Sequence, residues 1–144
     1  MIERATIANL IPHAGDMCLL DRVTMWTADA IRCTTASHRQ PHHPLAFDGV
    51  LSAACGVEYA AQAIAVHGAL LRGHSECAPR GLLVSVRALT ISSPRLDSLH
   101  DELVIYATRL AGETQQMSYQ FMLSGDGRVV LQGRVAVILD VAQP

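Results

Sequence analysis

Glu58 and the adjacent histidines His42 and His43 are the residues whose types and positions favour acid–base chemistry. Glu58 lies in the most apolar stretch of the chain, where a charged carboxylate suffers a desolvation cost unless it is paired or protonated. The two histidines lie upstream in a polar segment, and imidazole is the side chain best suited to exchange a proton near neutral pH. The pattern indicates a general acid and a general base. The alternative interpretations are a solvent-facing or interface position for Glu58, and surface histidines or an adventitious metal site.

Gln62 follows Glu58 by four residues, so both side chains lie on one face of a helix. Its amide can either orient the Glu58 carboxyl group or satisfy a backbone carbonyl of the surrounding sheet. His67, further along the same stretch, is interpreted as a satisfied core or interface histidine. Three further histidines are predicted to lie in surface loops: His38, His74 and His100.

The stretch that carries Glu58 is predicted to be a buried helix from about Ser52 to Leu71. It contains good helix formers and no proline, and Ser52 can cap its first turn, with Asp48 as a rival cap. The stretch is apolar almost all round and rich in alanine and glycine, which is expected where neighbouring backbone approaches closely on several sides. The sequence therefore predicts a core helix.

Strand-like patterns surround this helix and its preceding loop. Two prolines keep the segment from Ser37 to Pro44, which contains the histidine pair, out of regular structure. Compact turns at 112–114 and 124–127 indicate antiparallel hairpins. Six strands with one long helix after the second predict an α+β fold, an antiparallel sheet wrapped around a central helix. The predicted strands are two within Met17 to Ala36, around a turn at 27–29, and then Leu82 to Ser92, Glu102 to Leu110, Gln115 to Leu123 and Val129 to Leu139.

Length and composition limit the classes of protein to which the chain can belong. Its 144 residues, 50% of them hydrophobic, predict a single domain spanning 1–144. The net charge of −2, with scattered basic residues, argues against a nucleic-acid or anionic-lipid partner. Polar residues interrupt the longest apolar stretch and the N-terminus has no secretory pattern, so we expect a cytoplasmic protein without a membrane span. The four cysteines are too far apart for a Cys-x-x-Cys redox or zinc pair.

Two motifs resemble those of the hotdog-fold 3-hydroxyacyl-[acyl-carrier-protein] dehydratases, and the similarity covers nearly the whole chain. The first is Leu10-Ile11-Pro12-His13 followed by Leu19-Leu20-Asp21-Arg22-Val23, and the second is Glu58-Tyr59-Ala60-Ala61-Gln62-Ala63. The family's His-Phe-Pro loop is replaced by His43-Pro44-Leu45, and the spacing from His43 to Glu58 is one residue longer than usual. The Pro-Gly that begins the family's helix is replaced by Ser52-Ala53. These departures resemble the divergent subgroup associated with aryl polyene biosynthesis.

The resemblance implies a hotdog fold and the reversible dehydration of a 3-hydroxyacyl thioester, bound to acyl carrier protein, to the trans-2-enoyl thioester. It implies no redox cofactor and no metal. In that reading His43 is the base that removes the α-proton, and Glu58, kept neutral by its apolar helix, is the acid that protonates the departing hydroxyl. The predicted substrate-binding residues are Ala53 and Ala54, whose N–H groups would polarise the thioester carbonyl because first-turn donors are free, and Gln62.

Two other functions fit the same features. One is a hotdog acyl thioesterase, in which a helix carboxylate acts on the thioester and His43 is dispensable. The other is a non-catalytic partner that binds an acyl chain or completes the site of a sister subunit. Members of the aryl-polyene-associated subgroup can work with a second hotdog subunit. We therefore expect a homodimer or a heterodimer that covers the exposed sheet edge and helix flank.

Overall fold

The computed structural model describes residues 1–12, 15–73, 81–112 and 116–139. It confirms the predicted α+β architecture, since the described strands form one antiparallel sheet against which one long helix packs. In chain order the elements are β1 (Ile2–Glu3), α1 (Arg4–Leu10), β2 (Arg22–Trp26), β3 (Ala30–Thr35), α2 (Gly56–Arg72), β4 (Gly81–Ile91), β5 (Leu103–Gly112), β6 (Gln116–Gly125) and β7 (Arg128–Leu139). Several residues of the sequence analysis lie outside the described ranges, namely His13, His74, Glu113 and Thr114.

The described sheet has seven strands in the order β1-β2-β3-β5-β6-β7-β4, one more than the six expected. The additional strand, β1, is two residues long, and the short helix α1 that follows it was not predicted either. Elements of this length are too short to show a hydrophobic period. The six longer strands lie where the sequence predicts them. The predicted hairpin at 124–127 is confirmed as a two-residue turn with Asp126 and Gly127 in the left-handed region, at φ of 52° and 77°.

Helix α2 packs its small-residue surface against β3, β5 and β6. Gly56 shows why small residues are needed, because a Cβ added there would lie 2.9 Å from Leu123 Cδ2 and closer still to Leu131 Cδ2. The helix ends at Gly73, whose φ of 69° is left-handed. The predicted core helix is therefore confirmed. None of the helices in the described ranges is long and apolar enough to cross a membrane.

Strand β4 forms one edge of the sheet, beside β7, and exposes apolar side chains. Val86, Leu89 and Ile91 have 38%, 40% and 46% of their surface accessible. The register with β7 shifts between Arg87 and Thr90, where Ala88 has a left-handed φ of 52°. An edge strand that exposes apolar side chains is a place where another chain can pack, although the irregular register at Ala88 interrupts regular strand pairing there.

Candidate active site

His43 is 95% buried although it lies in the irregular loop that precedes α2 (relative exposure 5%). Its Nδ1 accepts a hydrogen bond from the backbone N–H of Leu45 at 3.0 Å, and its Nε2 lies 3.0 Å from the hydroxyl of Tyr59. A neutral imidazole that accepts at one nitrogen carries its proton on the other, so the Nε2–H donates to Tyr59. Burial lowers the pKa of His43, and the charge of Asp16 opposes that effect more weakly. Burial therefore favours the neutral form of the ring.

The hydroxyl of Tyr59 connects His43 to the core. It lies 2.9 Å from Ser37 Oγ, which donates to the carbonyl oxygen of Leu19 at 2.7 Å. A carbonyl oxygen can only accept, so the donors run from His43 to Tyr59, from Tyr59 to Ser37, and from Ser37 to Leu19. Tyr59 is fully buried, and burial raises its pKa to about 12. It is therefore a neutral phenol that accepts one hydrogen bond and donates one.

Glu58 precedes Tyr59 in the first turn of α2 and is partly exposed. The Nε2 of Gln62 donates to Glu58 Oε1 at 3.3 Å, as one of the two interpretations predicted. The same amide group also donates to a backbone carbonyl, as the other predicted, but that carbonyl belongs to Met17 in the 3₁₀ turn Gly15–Met17, at 2.7 Å, rather than to the sheet. It accepts from the N–H of Leu19 at 2.9 Å. Gln62 is fully buried. These contacts favour an orienting role for Gln62 over the direct substrate contact predicted from the sequence.

The start of the helix has the predicted cap, but its first backbone N–H groups are not free as predicted. Ser52 is the cap, since its Oγ accepts from the N–H of Ala54 at 3.2 Å, whereas Asp48 lies in a preceding turn. The N–H of Ala53 donates to the carbonyl of Pro94 at 2.9 Å. The expectation that the N–H groups of Ala53 and Ala54 are free is therefore wrong, because the cap and a neighbouring loop already use them. Their role in substrate binding stays a prediction that requires these bonds to open.

A cavity of about 850 Å³ lies beside His43. The ionisable residues that line it are His38, Arg39, His42, His43, Asp97 and His100. His38 is only 1% exposed, and its Nε2 lies 3.2 Å from the carbonyl oxygen of Leu99, so the prediction of a surface residue is wrong for it. The 3₁₀ turn at Ser37–Arg39 directs this ring inward. Within the described ranges, no group of three or more His, Cys, Asp or Glu residues is arranged to hold a metal ion.

Comparison with known proteins identifies the family. A family model described as ApeP-like, the ApeP dehydratase, matches residues 5–143. The chain belongs to the ApeP-like dehydratase family. No curated protein sequence matches it.

Solved structures show the fold of this ApeP-like chain. It is similar to the dehydratase heterocomplex ApeI:P from Xenorhabdus doucetiae, with a TM-score of 0.83, 24% identity and coverage of 94% of this chain and 91% of that chain. Zebra fish thioesterase superfamily member 2 matches with a TM-score of 0.65, 13% identity and 95% coverage of both chains. The HP0420 homologue from Helicobacter felis matches with a TM-score of 0.62, 14% identity and coverage of 95% and 90%. The expected hotdog fold is confirmed.

His67 forms a second histidine–tyrosine pair near the other end of α2. Its Nε2 donates to the carbonyl oxygen of Thr27 at 2.8 Å, and its Nδ1 accepts from the Tyr119 hydroxyl at 2.6 Å. Both rings are fully buried. The interpretation of His67 as a satisfied core histidine is confirmed.

The sequence analysis gave no role to the partners of His43. Tyr59 and the N–H of Leu45 contact the ring and Ser37 holds Tyr59, yet none of the three was predicted to have a role. One signal was available for Tyr59, because it is the one aromatic residue of an alanine-rich helix and it directly follows Glu58. A buried tyrosine needs a partner for its hydroxyl, and a nearby histidine can supply one.

Proposed function

We propose that this ApeP-like protein is a 3-hydroxyacyl-[acyl-carrier-protein] dehydratase, or a subunit of one, that forms the trans-2-enoyl thioester. The observation that carries the proposal is a neutral, buried histidine, His43, that borders a cavity large enough for a substrate. Tyr59 links this histidine to the helix turn that carries Glu58. Membership of the dehydratase family supports the reaction class.

The proposed reaction needs one base and one acid. His43 removes the α-proton, and the electron pair of the broken C–H bond forms the double bond between Cα and Cβ. The bond between Cβ and the hydroxyl oxygen breaks as the double bond forms, and the hydroxyl leaves as water with the proton of Glu58. Glu58 then carries a negative charge and His43 a positive one, so proton transfer between them through water restores the starting state. Gln62 supports this step by holding the Glu58 carboxyl group in one orientation.

A second hotdog subunit is the proposed partner. The similar chain from Xenorhabdus doucetiae comes from a dehydratase heterocomplex. The exposed apolar residues of the edge strand β4 give this chain a surface that a partner would cover. Both a second copy and a different hotdog chain satisfy this requirement. The acyl-carrier-protein-bound substrate would reach the cavity within that assembly.

The experiment is an assay of the purified chain, alone and mixed with a candidate second hotdog subunit, on a 3-hydroxyacyl-carrier-protein substrate; the active assembly is the complete complex of the tests below. We expect an acyl product that is lighter by one water, detected by mass spectrometry of the intact carrier protein. Release of a free carrier thiol without an enoyl product would identify a thioesterase instead. If His43 and Glu58 variants of this chain leave the activity of the mixture unchanged, the chain is a non-catalytic partner.

A further inference from the structure

The two nitrogens of the His43 ring have different partners, and this difference determines which of them can act as a base. We infer that Nδ1 of His43 is the basic atom and that Tyr59 is the positioning residue that keeps the ring proton on Nε2. This inference rests on the proposed dehydration. The proposed site then contains three residues, His43, Glu58 and Tyr59, and Tyr59 fixes the orientation and tautomer of the base.

The hydrogen-bond donor beside His43 determines where its ring proton lies. The backbone N–H of Leu45 can only donate, so Nδ1 must hold a lone pair. Nε2 of the neutral ring is then protonated and donates to Tyr59 at 3.0 Å. Tyr59 in turn donates to Ser37, and the hydroxyls of Ser37 and Thr35 both lie within hydrogen-bond distance of the carbonyl of Leu19, at 2.7 and 2.5 Å. No proton leaves along this chain of bonds, because it ends on a carbonyl oxygen.

An acceptor on one ring nitrogen is the arrangement that prepares the other nitrogen for proton transfer. In serine proteases a carboxylate plays this part, since it holds one N–H of the catalytic histidine and leaves the second nitrogen as the base. Tyr59 occupies the corresponding place with a neutral oxygen. It orients the ring and stabilises the imidazolium that forms, through a hydrogen bond rather than through a full charge. Both residues are almost completely buried, so this bond does not compete with solvent.

The bond from Leu45 to Nδ1 is the one that must open before the reaction. It spans only two residues of the loop, between His43 and Leu45, and Pro44 between them is exposed. Opening it frees the Nδ1 lone pair for the α-proton and frees the Leu45 N–H to donate to the thioester oxygen, where negative charge develops. By contrast, opening the bond to Tyr59 would leave the buried Nε2–H of His43 without an acceptor.

The activity test compares Tyr59→Phe with Tyr119→Phe in the complete complex. Both substitutions remove a hydroxyl that is bonded to a buried histidine, but only Tyr59 contacts His43. We expect Tyr59→Phe to lower kcat about tenfold to a hundredfold with KM unchanged, because a misplaced base loses its geometry.

The acid limb of the pH–rate profile of Tyr59→Phe should move to lower pH, because the imidazolium of His43 loses a hydrogen-bond acceptor. The other ionisable groups around this ring, which both variants keep, are Asp16, His38, Arg39, His42, Asp97 and His100. Tyr119→Phe should change neither kcat nor the profile, and equal losses in both variants would overturn the inference.

The second test does not depend on turnover. Nitrogen-15 NMR of the histidine rings, with His43 assigned by comparison with His43→Ala, distinguishes a protonated nitrogen from one with a lone pair. In the wild-type protein at a pH where the ring is neutral, we expect the proton of His43 on Nε2. A proton on Nδ1 would overturn the inference even if the complex is an active dehydratase. If the expected tautomer is found but the complex forms no enoyl product, the proposed function fails while the assigned proton positions stand.

Discussion

A buried histidine is bonded to a buried tyrosine near each end of helix α2. The donor and acceptor roles in the two hydrogen-bonded pairs are reversed. At His67 the tyrosine donates, and the other ring nitrogen donates to a backbone carbonyl. At His43 the tyrosine accepts, and the other ring nitrogen accepts from a backbone N–H. Both rings carry their proton on Nε2. They differ in what holds Nδ1, which is the Tyr119 hydroxyl of the core for His67 and the N–H of a loop residue, Leu45, for His43.

Under the proposed mechanism, this difference separates a structural histidine, His67, from the base, His43. The Nδ1 of His67 is held by Tyr119, which is itself fixed inside the sheet on β6, and neither ring lines the large cavity. The Nδ1 of His43 is held by a two-residue contact within a loop, and His43 borders that cavity. A residue type and its burial therefore do not identify a base. In the proposed mechanism, the base is the histidine whose Nδ1 lone pair can be freed by opening a local loop contact.

The largest expected effect is a loss of activity on substitution of Glu58, at the end of helix α2 that lies near His43. Glu58→Gln should lower enoyl formation by about 10² to 10⁴, the loss typical of a missing general acid, while the unfolding free energy stays near that of the wild type or rises. The assay uses the complete complex, and thermal unfolding checks the fold. If Glu58→Gln unfolds the protein while the folded fraction keeps its activity, Glu58 is structural.

The converse result is expected at His67. His67→Ala should lower the unfolding free energy by about 2 to 4 kcal/mol, because it leaves a cavity and deprives Tyr119 and the carbonyl of Thr27 of their partner. The activity of the remaining folded protein should be unchanged. Chemical denaturation and the kcat per folded molecule measure the two quantities. A selective loss of kcat would place His67 in the reaction and remove the distinction between the two pairs.

Ser37→Ala tests the support behind Tyr59. It removes the acceptor of the Tyr59 hydroxyl and should lower the unfolding free energy by about 1 to 3 kcal/mol. The loss of kcat should be smaller than in Tyr59→Phe, since the tyrosine hydroxyl that accepts from His43 remains. Denaturation and kinetics on the same preparations give the comparison. A larger kinetic loss than in Tyr59→Phe would mean that Ser37, rather than Tyr59, controls the ring.

The smallest effect is a dependence of stability on pH. Burial lowers the pKa values of His38, His43 and His67, and at His67 Arg109 acts in the same direction while Asp29 opposes it. The ordinary pKa of histidine is about 6.5, so near and below this pH the histidines of the unfolded chain bind protons that the folded chain does not bind. The unfolding free energy should therefore fall as pH decreases from about 7. Denaturation at several pH values measures this slope. His67→Asn should reduce it, and an unchanged slope would contradict the assigned direction.

The sequence predicted the elements whose patterns are long and regular. The alanine-rich helix, its Ser52 cap and the six longer strands follow from periodicity and capping alone. The sequence did not predict β1 or α1, which are too short to show a period, nor the burial of His38, because a polar loop can fold back on the core. It also predicted free donors at Ala53 and Ala54. That prediction was wrong for Ala53 because its N–H is bonded to Pro94, about forty positions away in the sequence. Long-range bonds of this kind, including those of Tyr59, have no local sequence signal.

The most direct test of the account is enoyl formation by His43→Ala and His42→Ala, each assayed in the complete complex. The two histidines are adjacent and both line the cavity, but only His43 is bonded to Tyr59. We predict that His43→Ala lowers the rate by about 10² to 10⁴ and that His42→Ala stays within about tenfold of the wild type. Both variants should keep the wild-type fold. A dead His42→Ala with an active His43→Ala would contradict the assignment of the base, and full activity in both would show that the base lies elsewhere.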